Sequence, residues 1–158
     1  MSQQNLRGLS VQPASAQELL AAAAENWQDT SISARYVRAA LAGDAELDVL
    51  ISAYRYYFYK SEAAMALQMA IAVCNRVQAA EKWPSDWASL KPILQAQLAT
   101  PNVRLYVNAY IASGYLQARL GHLAIAQTIA KQVQQLQAQE FGADILLGIL
   151  NPPLDEEE

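Results

Sequence analysis

The stretch Leu47–Val77, LDVLISAYRYYFYKSEAAMALQMAIAVCNRV, constrains the fold most. It reads as two helices folded back on each other at Lys60-Ser61-Glu62. The first carries four tyrosines and a phenylalanine in the six residues from Tyr54 to Tyr59. The second is almost entirely Ala, Leu, Met, Ile and Val, broken by Gln68, Asn75 and Arg76. Six helical residues sweep about 600°. The aromatic run therefore covers more than one helix face, with some rings filling a core and others, Phe58 and Tyr59 foremost, exposed, either covering surface with their amphipathic rings or forming an interface.

The rest of the chain continues the helical pattern. Ser15-Ala16-Gln17-Glu18 matches a capping box, predicting a helix over 16–28 with Leu19, Leu20, Ala23 and Trp27 inward. Further helices are expected at 32–41, at about 45–60 and at 62–82, the last ending before Pro84 because proline disfavours helix in the residue preceding it. A shorter helix interrupted by Pro92 follows, to about 98. Then come 100–120, a turn at Gly121-His122, 123–139, and 143–150. No segment alternates apolar and polar residues as a half-buried strand does. The fold class is all-α, in seven or eight helices. At 158 residues a single domain over 15–150 is expected, with 1–14 as a flexible arm and 151–158 as an acidic tail.

Eleven Lys and Arg stand against fifteen Asp and Glu, and four of the acids are the last four residues, so the remainder is formally neutral. No basic face for nucleic acid is visible, and a near-neutral body does little to oppose self-association. The longest apolar stretch, Ala63–Cys74, is interrupted by Gln68 and is too short to span a bilayer. The start of the chain has no cationic-then-apolar pattern of a secretory signal. The single cysteine, Cys74, excludes an intramolecular disulfide. A cytoplasmic protein without membrane or nucleic-acid partner is the expectation.

YYFYKSEAAMALQMAIAV and LQARLGHLAIAQTIAKQV align without a gap at an offset of 60 residues, Ser61 over Gly121. Ala66 and Ala126, Ala70 and Ala130, and Val73 and Val133 coincide. These positions share one helix face, where small side chains let helices approach closely. The pattern resembles the tetratricopeptide repeat, a helix-turn-helix unit of about 34 residues, with Tyr110, Gly114 and Gly121 at that family's large, small and turn positions. The resemblance covers 47–79 and 107–138. It implies hairpins stacked as a superhelix, whose first helices line a groove for an extended peptide or a partner's helix. Groove positions would be Asp48, Ile51, Arg55 and Phe58 on one hairpin and Asn108, Ile111, Tyr115 and Ala118 on the other. Arg55 and Asn108 alone do not suffice for clamping a terminal carboxylate, so an apolar or amphipathic segment is expected. Partner binding is assigned to Arg55, Phe58, Tyr59, Asn108, Ile111 and Tyr115.

No constellation suggests catalysis. His122 is the only histidine and sits at a hairpin turn. Cys74 reads as a buried small hydrophobe. Asp44, Glu46 and Asp48 read as helix-start carboxylates, and Gly114 and Gly121 lack a phosphate loop's Lys-Ser/Thr. No enzyme, metal site or cofactor is expected. The implied function is a non-catalytic protein-interaction adaptor or chaperone. The alternatives are a homodimer or larger homo-oligomer using the same apolar faces, or a bacterial secretion chaperone of the helical-repeat class.

Overall fold

The computed structural model describes residues 14–151, and among these every regular element is helical. The elements are α1 (Ala16–Glu25), α2 (Thr30–Ala40), α3 (Leu47–Tyr59), α4 (Ala63–Glu81), α5 (Trp87–Ala96), α6 (Pro101–Arg119), α7 (Leu123–Gln134), a 3-10 turn (Gln139–Phe141) and α8 (Ala143–Leu150). Most of the 1–14 arm and the 151–158 tail lie outside the described residues. The packing divides the chain into two compact units, the first ending at Ala53 and the second beginning at Tyr54, so the boundary falls inside α3. The sequence reading of one body over 15–150 does not show this division.

In the first unit α1 packs on α2. Both halves of the expected capping box are made: the Glu18 backbone N–H donates to Ser15 Oγ at 3.1 Å and the Ser15 N–H to Glu18 Oε1 at 2.8 Å. Asp29 caps α2 by accepting from the Ile32 N–H at 3.2 Å. Ala23, Ser33, Val37 and Ala40 are buried, and the Ser33 hydroxyl donates to the Thr30 carbonyl at 3.3 Å. Gln17 Nε2 donates to Asp48 Oδ2 at 2.9 Å, tying α1 to the start of α3.

In the second unit α6 is the central helix, packing against α4, α7, α8 and the 3-10 turn. That is why it is apolar on more than one side. Val103, Val107 and Leu116 are at most 1% exposed, each worth about 1.5–3 kcal/mol of burial. On α4, Ala66, Ala70, Val73 and Val77 are buried; on α7, Ala126, Ile129, Ala130 and Val133 are. The aligned Ala/Ala/Val positions of the two hairpins are thus core positions in both.

The two hairpin turns repeat each other bond for bond. Glu62 N–H donates to the Tyr57 carbonyl and His122 N–H to the Gln117 carbonyl, both at 2.8 Å. Ser61 N–H to Phe58 and Gly121 N–H to Ala118 are both 3.0 Å. Helix α4 stops at a left-handed Lys82 (φ 58°), where the Trp83 N–H returns to the Gln78 carbonyl at 3.1 Å, a closure that satisfies carbonyls the helix end would leave open. In α5, Leu90 and Leu94 face inward while Pro92 lies on the exposed side. Pro92 has no N–H with which to bond the carbonyl of exposed Ala88. Asp86 caps α5, its carboxyl held below its ordinary value by hydrogen bonds from Ser89.

Helix α7 is shorter than expected, ending at Gln134 and not near 139. Gln137 takes a left-handed φ of 61°, and the chain turns so that Leu136 and Phe141 both reach the core, at 1% and 4% exposure.

Candidate interaction surface

The aromatic run of α3 sorts by helix face. Tyr56 and Tyr57 are buried and meet edge to face with centroids 5.3 Å apart. One step round, Tyr54 and Phe58, four residues apart and both half-buried, stack at 5.9 Å. The next step carries Arg55 and Tyr59 outward, Tyr59 being 70% exposed. Phe58 meets Tyr59 edge to face at 5.4 Å. From the last turn of α6 the Arg119 guanidinium lies over the Phe58 ring at 5.4 Å, the geometry in which a cation is held by the ring's negative face. Burial pushes the Tyr54 hydroxyl above its ordinary value, with the Arg119 charge opposing that shift and Tyr59 adding to it. The result is a surface of three rings and an exposed arginine at the ends of α3 and α6.

On α6 the expected groove face is largely taken up by the chain itself. Ile111 is only 5% exposed, so its assignment as a partner-contacting residue is corrected: it is core. A Cβ built on Gly114 would stand 3.0 Å from Ile129 and 3.2 Å from Leu146; the absence of a side chain there is what lets α7 and α8 press against α6. Tyr115 is half-buried, its hydroxyl donating to the Gly142 carbonyl at 3.2 Å, and burial raises its pKa. Arg104 bridges to Glu140 at 3.3 Å and lies 5.4 Å from the centre of the Phe141 ring. The segment 139–150 thus meets α6 at Arg104, Gly114 and Tyr115, the last of these an expected groove position. Asn108 is exposed.

Of the six expected residues, Arg55, Tyr59 and Asn108 are exposed, Phe58 and Tyr115 are half-buried, and Ile111 is buried. Phe58 and Tyr59 are brought into ring contact. Arg119 and Tyr54 join them and were missed. The signal for Arg119 was present, because the 60-residue offset lays it directly over Tyr59.

A second feature is a ladder of rings along α6, met by Trp83 of the α4–α5 connection and Trp87 at the start of α5. Trp83 meets Tyr106 edge to face at 5.6 Å, Tyr106 stacks on Tyr110 at 5.8 Å, and Tyr110 on Trp87 at 6.2 Å. Trp87 Nε1 donates to Gln135 Oε1 at 2.8 Å, and the Tyr110 hydroxyl donates to Gln132 Oε1. Beside it a half-open cleft of about 240 Å3 is lined by Ile71, Asn75, Tyr106, Tyr110 and Ile129 among others, smaller than most small-molecule sites. Cys74 borders it, buried, its thiol pushed by burial up to about 12. A thiol held neutral is a poor nucleophile. His122 is exposed at its turn, Nδ1 lying 2.6 Å from Gln117 Oε1. Among the described residues no three His, Cys, Asp or Glu side chains gather where a metal could be held, and no helix is long and apolar enough to cross a membrane. Every buried side-chain nitrogen or oxygen in them has a hydrogen-bond partner.

No known family model matches the chain, and no solved structure matches it. The chain is similar to a protein of Azotobacter chroococcum mcd 1 described as an uncharacterized 19.8 kDa protein in the nifW 5′ region, with 26% identity over 132 residues, covering 81% of this chain and 74% of that protein. That description names no activity.

Proposed function

We propose that the chain is a non-catalytic interaction adaptor or chaperone that binds a segment of a partner protein at the Tyr54, Phe58, Tyr59 and Arg119 surface. The observation that carries this reading is the arrangement of Tyr59 and Arg119 around Phe58. Tyrosine and arginine are the residues that dominate binding energy at protein interfaces, and here they stand exposed around one ring, while every buried side-chain polar group among the described residues already has a partner. The duplicated hairpin, with its resemblance to the tetratricopeptide repeat, supports the reading as well. A helical-repeat secretion chaperone is a narrower form of the same proposal. Self-association is the second reading, favoured by the exposure of Leu123 and Ile125 at 55% and 49%.

Co-purification tests the proposal. Tagged wild type and a Tyr59→Ser, Arg119→Glu variant are recovered from the source cells, with matched helicity and melting temperature confirming that both fold. A stoichiometric partner held by the wild type and lost from the variant supports the proposal. The same partner at the same stoichiometry in both, or the protein alone from both, overturns it.

A further inference from the structure

The half-open cleft beside the ring ladder holds about 240 Å3 and is lined from α4, α6 and α7. It shares no residue with the Tyr54, Phe58, Tyr59 and Arg119 surface, and no charged side chain lines it. Its titratable groups are the Cys74 thiol and the Tyr106 and Tyr110 hydroxyls, each pushed up from its ordinary value, by burial first of all. At neutral pH the lining therefore carries no charge. An ion entering it would lose water without gaining a counter-charge.

Most of the polar groups in the lining are already engaged. The Ser113 hydroxyl donates to the Tyr110 carbonyl, the Tyr110 hydroxyl to Gln132 Oε1, and Gln78 Nε2 to the Pro84 carbonyl, while Gln117 Oε1 meets His122 Nδ1. Two are not. Neither the Tyr106 hydroxyl nor the Asn75 side-chain amide has a hydrogen-bond partner among the described residues. Tyr106 is only 6% exposed. Every side-chain oxygen sealed from solvent has a partner, so the Tyr106 hydroxyl reaches open space, and the cleft is the open space that Tyr106 lines. A polar group this buried is ordinarily bonded, and here it is left for whatever enters.

The two open groups lie at one level. The Cys74 thiol donates to the Tyr106 carbonyl at 3.8 Å and Asn102 bonds Glu81, so α4 and α6 run antiparallel with Asn75 beside Tyr106. One turn along each helix come Ile71 and Tyr110, and Ile129, which stands next to Gly114, closes that end. The cleft thus has a polar end and an apolar end. An apolar cavity of about 150 Å3 takes up benzene. This volume therefore suits a ring with one short polar group and is too small for a drug-sized molecule.

We infer that the cleft binds a small uncharged aromatic amide, with its ring among Ile71, Tyr110 and Ile129 and its amide at Asn75 and the Tyr106 hydroxyl. A hydroxyl and a carboxamide each donate and accept, and an amide answers both at once. A flat, rigid ring also loses little freedom on entry.

Benzamide is the probe for the full chain. Benzoate is the control that adds a charge to the same shape, and acetophenone the control that keeps the ring and carbonyl but has no N–H. Benzamide shifts the NMR signals of the Ile71 and Ile129 methyls and the Asn75 side-chain amide, and the shifts saturate. Both controls bind at least about threefold more weakly. Tyr106→Phe and Asn75→Leu each remove a group that bonds nothing in the fold, so they keep the wild-type melting temperature. Each weakens benzamide about three- to tenfold, the loss of one neutral hydrogen bond. The Tyr59→Ser, Arg119→Glu variant binds benzamide as wild type does, so this result is independent of the adaptor surface. Shifts that fail to saturate or that fall outside the cleft, equal binding of either control, or undiminished binding to either variant overturns the inference.

Discussion

Ser61 and Gly121, sixty residues apart, hold the same left-handed turn, at φ 60° and 89°. Only one of the two is the residue that conformation favours. A side chain in this region costs about 1 kcal/mol relative to glycine. Ser61→Gly is therefore expected to raise unfolding free energy by about 0.5–1 kcal/mol. Gly121→Ala is expected to lower it by about 1 kcal/mol, although no atom stands within 4 Å of the new Cβ. Urea denaturation of the two variants measures both, and opposite signs are the expected result.

Gly114 and Gly148 are both helical, and alanine is the better helix former at each. Their surroundings decide the outcome. At Gly114 a Cβ meets Ile129 at 3.0 Å and Leu146 at 3.2 Å, so Gly114→Ala should destabilise by about 1–3 kcal/mol through overpacking. At Gly148 there is open space, and Gly148→Ala should stabilise by about 0.5–1 kcal/mol. Thermal melts of the pair check this.

The burial of Cys74 sets a pH dependence. Its thiol rises from an ordinary 9.0 to about 12 in the folded chain, with burial as the cause. The folded state thus keeps a proton that the unfolded state has lost over that interval. Stability from this group is fully present below pH 9 and is lost as pH rises toward 12. Replacing Cys74 with alanine should flatten that decline in a stability profile across the alkaline range. In native protein at neutral pH the thiol should resist a disulfide reagent that labels it at once in urea.

Leu94 is fully buried in α5, a helix lying between the two stretches that the repeat pattern covers. Leu94→Ala should cost about 2–5 kcal/mol. A cost under 1 kcal/mol, measured by denaturant unfolding, would show α5 to be a peripheral appendage.

What could be read from the sequence was whatever is encoded locally. The Ser15/Glu18 box, the Ser61 and Gly121 turns, and the Ala66, Ala70, Val73 stripe with its copy at Ala126, Ala130, Val133 each depend on residues within a few positions, and the structure shows all of them. Ile111 was misread because α6 is apolar on several sides, so no periodicity says which side stays open. The segment that meets α6 near there, Gly142 at Tyr115 and Leu146 at Gly114, lies about thirty residues on in the chain. Gln137 ends α7 early for a similar reason: placing Leu136 and Phe141 in the core outweighs the helical pattern of the surrounding glutamines. The division inside α3 left no composition change to find. Arg119 could have been found by carrying the repeat alignment two positions upstream of its turn.

The most direct test of the interaction surface is photocrosslinking in the source cells, with p-benzoylphenylalanine placed at Tyr59 and, as a control, at exposed Ala88 of α5. The account predicts one discrete heteromeric adduct from position 59, absent from position 88 and lost when Arg119→Glu is added. Adducts of equal yield from both positions, or adducts of the protein with itself alone, would contradict it.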